Sequence, residues 1–344
     1  MPYLPSRPDL EQLRHQAKDL LRAANAGDPT AVARIRAVSE RQILTSAQLA
    51  LAREYGFGSW ARLKTEVQRR EILNSRDLAR VVPLLAGDPG LAEVPMVNWS
   101  DHKSANPLAY IAMIGFDHER LGLPSELPGT GDVARALIDA GAPVDGLPDD
   151  AETPLMTAAS YGDLEVARIL IDAGADIDAR ARPDSGGVPG GTALMHAAVF
   201  GMTDVLDLLV EAGGQAHGIE SAAAIGDISD WLTPDTPLQA RVRALSFAAD
   251  HQRLNVIDEL VKHDTPVDAV DEMFGRQALR LAAQNGRSRS VRRLLSRGAD
   301  PQLRDEHGRS ALDLCQPRYR YLANPGHDEV AAILRPITET QDPR

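Results

Sequence analysis

From about residue 100 onward, apolar and polar positions recur in blocks that copy one another. Thr153–Asp178 reads TPLMTAASYGDLEVARILIDAGADID, Gly191–Gln215 reads GTALMHAAVFGMTDVLDLLVEAGGQ, and Arg276–Pro301 reads RQALRLAAQNGRSRSVRRLLSRGADP. The spacing is regular: Gly141 to Gly174 is 33 residues, Leu279 to Leu312 is 33, and Ala249 to Ala283 is 34. Each block predicts two short helices. Thr153 caps free backbone N–H groups, and Pro154 in the first turn forfeits no hydrogen bond. Ala158 and Ala159 leave room for close approach of a second helix, and Gly162 ends the first where a left-handed residue is needed. Val166, Ile169, Leu170 and Ile171 make the apolar stripe of the second helix. Gly174-Ala175-Asp176 closes it and opens a hairpin finger. One such unit cannot bury its own apolar face, so stability must come from its neighbours.

The pattern is interrupted in definite places. NPLAYIAMIG (Asn106–Gly115) continues only at GDVARALIDAGAPVD (Gly131–Asp145), which implies about 14 extra residues near 116–130. About six extra Gly/Pro-rich residues near 180–190 lengthen one finger. The stretch near 218–235 is degenerate, with a first helix and a shortened second one. Pro237–Ala249 reads as one elongated first helix, and the LNVIDELVKHD segment after it lacks the terminal Gly. The last unit, RSALDLCQ followed by HDEVAAIL, is broken by Pro317–Gly326 and reads as a C-terminal cap, with a disordered tail over 336–344. Upstream, Arg76–Ala92 reads as a capping helix pair within 71–99.

Residues 1–70 read as a small helical domain without repeats. Leu10, Leu13, Ala17, Leu20 and Leu21 form a helical stripe closed by Gly27-Asp28-Pro29. Thr45 and Gln48 form a capping-box pair, Gly56 stops that helix, and Ser59 caps the next.

Period and signature together resemble the ankyrin-repeat family, whose unit reads roughly T-P-L-H-x-A-A-x-x-G followed by V-x-x-L-L-x-x-G-A-D. The resemblance spans about residues 100–335. It implies an all-α solenoid of six to seven helix-turn-helix units with short hairpin fingers and a concave groove used for binding. LALAREYGFGSWARLK (Leu49–Lys64) is similar to the region that precedes such repeats in bacterial ankyrin-repeat proteins of unassigned activity.

Composition narrows the function. Aromatic residues make up only 4%, and Ala and Leu dominate, which suits close helix packing. The formal net charge of −12 opposes binding to nucleic-acid phosphates. The basic run Arg287, Arg289, Arg292, Arg293 and Arg297 is expected to be the solvated face of one helix. A single cysteine, Cys315, excludes an intrachain disulfide and a cysteine-based zinc site, and fits a reducing cytoplasm. No signal-peptide core and no apolar run of about 18 residues are present, so no membrane span is expected.

In the family alignment the two residues before each first-helix Gly lie at the groove. They are Met113 and Ile114, Ser160 and Tyr161, Val199 and Phe200, Ala224 and Ile225, Asp250 and His251, and Gln284 and Asn285. The first four pairs are mostly apolar, which points to a recognition surface for another protein. Two readings compete with this one: the insertions or the N-terminal domain fold over the stripe, or the residues turn into the core. A small apolar ligand in an irregular pocket is the alternative function, with His196, His251 and Tyr161 as weak acid–base candidates. His196 occupies a mostly apolar column, which favours a packed, hydrogen-bonded histidine. Asp117, His118 and Glu119 are consecutive and read as a solvated loop, not a metal site. No phosphate loop, dinucleotide fingerprint, zincin helix or nucleophile elbow is present, so the reading leans away from an enzyme and assigns no cofactor or metal.

Overall fold

The computed structural model describes residues 4–97, 104–124, 128–315 and 325–339. It divides into two compact units, Met1–Asp150 and Ala151–Arg344. Apart from one antiparallel pairing of Met96–Val97 with Ser104–Ala105 and an isolated Val270–Gln277 bridge, the regular structure described is helical.

The first unit opens with α1 (Leu10–Asn25), α2 (Pro29–Arg36), α3 (Leu44–Glu54) and α4 (Trp60–Ser75). Leu13 and Ala17 pack with Leu51, Leu63 and Val67, while Leu20 and Ala24 pack with Ile35, Ala47 and Ala50. Asp28 caps α2 with Pro29 at its start, and Ser59 caps α4. The expected Thr45–Gln48 box does not form. α3 begins two residues earlier than a Thr45 cap would place it, with Ile43 at the cap and no side-chain bond to the helix end. Three charged residues of α4 are drawn inside. Glu66, Arg69 and Arg70 are buried, and Arg69 donates to the carbonyls of Leu91 (3.1 Å), Val94 (2.8 Å) and Pro95 (3.2 Å).

α5 (Leu78–Gly87), capped by Asp77, is followed by a single 3-10 turn at Pro89–Ala92 in place of the second helix of the expected pair. α6 (Pro107–Ile114) packs on α8 (Thr130–Asp139), with α7 (His118–Leu121) in the insertion between them. His118 therefore sits in a short helix, its Nδ1 3.0 Å from the Gly115 carbonyl. Tyr110 is fully buried in α6 and donates to Asn74 at 2.9 Å. Burial pushes its phenol up to about 12.

The second unit stacks helix pairs: α9 (Pro154–Tyr161) with α10 (Leu164–Asp172), and α11 (Ala193–Phe200) with α12 (Thr203–Glu211). α13 (Ile219–Ile225) has no second helix of its own. α14 (Leu238–Asp250) pairs with α15 (Leu254–Lys262), α16 (Ala278–Gln284) with α17 (Ser288–Ser296), and α18 (Ala311–Leu314) with α19 (Pro325–Glu339). First helices pack on the first helices of neighbouring pairs through the Ala-Ala positions: Ala158, Ala159, Ala197, Ala248, Ala249, Ala282 and Ala283 are all buried. The shortened second helix expected after α13 is absent, and Asp227–Leu232 forms turns. Asp227 accepts from the Ser229 amide at 3.0 Å, and the Ile228 carbonyl takes the amides of both Trp231 and Leu232. The elongated α14 packs along α13 instead. At the far end, the tail expected from 336 is still helical through Glu339, and Thr338 donates to the Leu334 carbonyl at 3.0 Å. The interruption expected at Pro317–Gly326 lies largely outside the described residues, as does the rest of the tail.

Candidate functional site

The fingers of the last repeats are shaped by aspartates. Asp271 accepts from the amides of Met273 (3.0 Å) and Phe274 (2.8 Å), and its own amide donates to the Arg276 carbonyl at 2.8 Å. That closed turn holds Met273 and Phe274 outward, 66% and 48% exposed. Asp305 does the same one finger later. It accepts from the amides of His307 (2.9 Å) and Arg309 (2.8 Å), and these N–H bonds hold its carboxyl down at about 2. Aspartate suits such turns because its side chain accepts from the backbone two or three residues on.

Between these two fingers and the ends of α11, α14 and α16 lies a cavity of about 640 Å³. α11 contributes Val199 and Phe200, and Phe200 is 43% exposed. Asp250 at the end of α14 and Gln284 and Asn285 at the end of α16 supply its polar floor. The Arg276 guanidinium stands over the Phe274 ring, 4.9 Å from its centre, a cation–π geometry that fixes both side chains at the mouth.

Asp250 is almost fully buried. Its Oδ1 accepts from Asn285 at 2.8 Å and from Arg287 at 3.1 Å, and Arg287 also donates to the Gly201 carbonyl at 2.6 Å. Of the basic run expected as a solvated face, Arg289, Arg292 and Arg297 are exposed, while Arg287 is committed within the fold. Arg293 and Arg297 both pair with Asp258, and Arg292 approaches Glu329 at 3.8 Å.

The remaining groove candidates go elsewhere. Met113 and Ile114 are buried in α6 of the first unit, so they are not a solvent-facing stripe. Ser160 and Tyr161 are half-buried, and Ile225 lines a separate cavity of about 460 Å³ beside Trp231, where the missing second helix leaves space. His251 is buried and lies outside the 640 Å³ cavity. Its Nε2–H donates to the Ala198 carbonyl, which can only accept, and its Nδ1 takes the Thr203 hydroxyl, both at 3.0 Å. Burial lowers its pKa, chiefly by desolvation, against the Asp250 carboxylate that favours protonation. It stitches α14 to the preceding pair.

His196 is also fully buried. Its Nδ1 lies 2.8 Å from Ser160 Oγ, and desolvation lowers its pKa against the opposing pull of Glu152 and the Val188 backbone. Glu152 does not orient the imidazole. Its Oε1 accepts from Ser185 (2.9 Å) and the Gly187 amide (2.8 Å), clamping the long finger over the histidine. A Cβ on Gly187 would stand 2.9 Å from the His196 ring and 2.8 Å from Glu152, so only glycine passes there. The insertion near 180–190 thus covers this part of the inner face, one of the competing sequence readings. Among the described residues no cluster of His, Cys, Asp and Glu is arranged to hold a metal ion, and no helix is long and apolar enough to cross a membrane.

Sequence reading missed Arg280. It sits on α16 in the column of Met156 and Met195, lines the 640 Å³ cavity, and is only 7% exposed. The signal was a charge in a column otherwise filled by methionine in the two best-formed repeats.

Helix pairs at a 33-residue period, with turned fingers flanking an open groove, define a helical-repeat solenoid. The family model described as "Ankyrin repeats (3 copies)" matches residues 127–219 and again 194–305, together just over half of the sequence, and the chain belongs to the ankyrin-repeat family. Ankyrin repeats generally mediate protein–protein interaction. A search of curated proteins gives no match. Among solved structures the chain is similar to the human ASB11 ankyrin repeat domain, with 20% identity over 70% of this chain and 100% of that one, at a TM-score of 0.33.

Proposed function

We propose that the chain is a recognition scaffold that holds a segment of a partner protein in the groove of its last repeats, inside a bacterial cytoplasm. The observation that carries this reading is the 640 Å³ cavity, rimmed by the exposed apolar side chains of Phe200, Phe274 and Val270 over a polar floor. Exposed aromatic anchors beside hydrogen-bonding groups suit a peptide better than a free solute, because a peptide offers both apolar side chains and a backbone to pair. The groove lies open along the fingers and the first-helix ends. His251 and Tyr161 take no part in it, so the acid–base candidates do not converge on one ligand site there. The buried thiol of Cys315, its pKa raised by desolvation, and the lack of any second cysteine suit a reducing compartment.

The test pairs Phe200→Ala with Phe274→Ala in the full chain. Both side chains are about half exposed, so the fold should keep its melting temperature while affinity for a captured protein falls by about 30-fold or more, as for interface hot spots. Unchanged capture by the double variant would remove the groove from the function.

A further inference from the structure

We infer that the groove takes a peptide bearing a carboxylate side chain close to a bulky apolar one, and that Arg280 holds the carboxylate. This rests on the groove reading above and names the chemistry of its occupant.

Arg280 is more than nine-tenths buried, lines the cavity, and among the described residues makes no hydrogen bond and no ion pair. Its stem is packed away while its guanidinium nitrogens still open onto the cavity, so a ligand there can complete a cation that has no counter-charge in the fold. Apart from the exposed Glu306 at the rim, the described carboxylates at and beside the cavity are already engaged. Asp250, in the same cavity, is taken by Asn285 and Arg287. Asp305 is taken by Arg309 and by two backbone amides, and Asp313 by Ser310 and Arg304. Nor does repeat packing demand the charge, because Met156 and Met195 fill the same column in sister repeats. A second cation, Arg276, stands at the mouth over Phe274, its guanidinium likewise without a hydrogen bond among the described residues. Two arginines without a carboxylate partner, beside Phe274, Val270 and Phe200, complement an acidic and an apolar side chain carried together.

The charge balance favours a carboxylate over a phosphate. Four arginines (Arg276, Arg280, Arg304 and Arg309) and three carboxylates (Asp250, Asp305 and Glu306) line the space, a balance that one carboxylate neutralises and a dianion exceeds. The planar fork of Arg280 matches a carboxylate through two parallel N–H bonds.

The experiment pans a displayed library of random linear peptides against the full chain and measures the affinity of the enriched peptides as synthetic molecules. Enriched sequences should carry Asp or Glu near a large apolar residue. Changing that acid to its amide should weaken binding about 20-fold, and Arg280→Met should weaken the parent peptide to the same extent. With the amide peptide, wild type and Arg280→Met should bind alike, since each change removes the same pair. Arg280→Met should also raise the melting temperature by a few degrees, roughly as expected when an unpaired buried charge becomes a fitting apolar side chain. A merely structural arginine would lower it. Arg280→Lys, which keeps the charge without the fork, should bind at an intermediate level and carries the test if the methionine variant does not fold.

Enrichment indifferent to acidic residues, an Arg280→Met variant of full affinity, losses that multiply in the cycle, or tighter binding of a phosphothreonine version than of the glutamate peptide would each overturn the inference. If such peptides are still lost in Phe200→Ala/Phe274→Ala, the groove reading survives that result. If nothing is enriched, or the aromatic double variant binds every enriched peptide normally, the groove reading falls and this inference falls with it.

Discussion

Arg287 approaches the buried carboxylate of Asp250 at 3.1 Å and extends to the Gly201 carbonyl at 2.6 Å, so one side chain joins the start of α17 to the ends of α14 and α11. Asp250 lies at the cavity floor, almost fully buried, with little water to fall back on. Replacing Arg287 with Leu should destabilise the chain by about 2–4 kcal/mol, toward the lower end because Arg287 is itself about one-fifth exposed. Urea unfolding would measure this, and adding Asp250→Asn should restore part of the loss. A loss near 0.5 kcal/mol or less, typical of an exposed pair, would show that the floor is wetter than its burial implies.

Gly201 and Gln252 occupy equivalent positions in the repeat but make opposite demands. Gly201 has φ +72°, and a Cβ there would stand 2.7 Å from Asp250 Oδ2. Gln252 adopts φ +56° with a side chain present. Gly201→Ala should therefore cost about 2 kcal/mol or more, while Gln252→Gly should stabilise by about 0.5–1 kcal/mol by relieving left-handed strain. Equal signs from thermal melts of the two variants would contradict the assignment of strain to Gln252.

The two buried histidines set an acid limit. His196 and His251 both have folded pKa values lowered from 6.5, chiefly by desolvation. Below about pH 6.5 the unfolded chain takes up these protons and the folded chain does not. Stability is therefore full above 6.5 and declines as pH falls through and below it. Replacing His251 with Gln, which has an amide donor and acceptor, should flatten part of this decline while reducing stability at pH 7.5 by about 1–2 kcal/mol. A stability profile between pH 5 and 7.5 that is unchanged by the substitution would rule out His251 as a contributor.

Glu152 clamps the long finger through Ser185 and Gly187. Glu152→Ala removes a charged acceptor from two hydrogen bonds and should free the loop without unfolding the repeats. Trypsin should then cut after Arg180 several-fold faster, as read by mass spectrometry of early fragments. An unchanged cleavage rate would mean that packing over His196, and not the carboxylate, holds the finger.

What the sequence determined by itself is the repeat: a helix that starts at Thr153 and stops at Gly162, and the 33-residue step that makes neighbours stack. These depend on local hydrogen bonds, backbone sterics and periodic burial, all encoded within a few residues of each position. The tertiary structure decided the fate of the charges and of the groove. Glu66, Arg69 and Arg70 look like a solvent face yet are buried, because Arg69 meets carbonyls more than twenty residues away. Arg293 and Arg280 are the same residue type in adjacent helices of one repeat. One pairs with Asp258 from the preceding repeat, and the other faces the cavity without a partner. Which face a side chain meets, and whether an opposite charge waits there, depends on contacts between repeats that no single repeat contains.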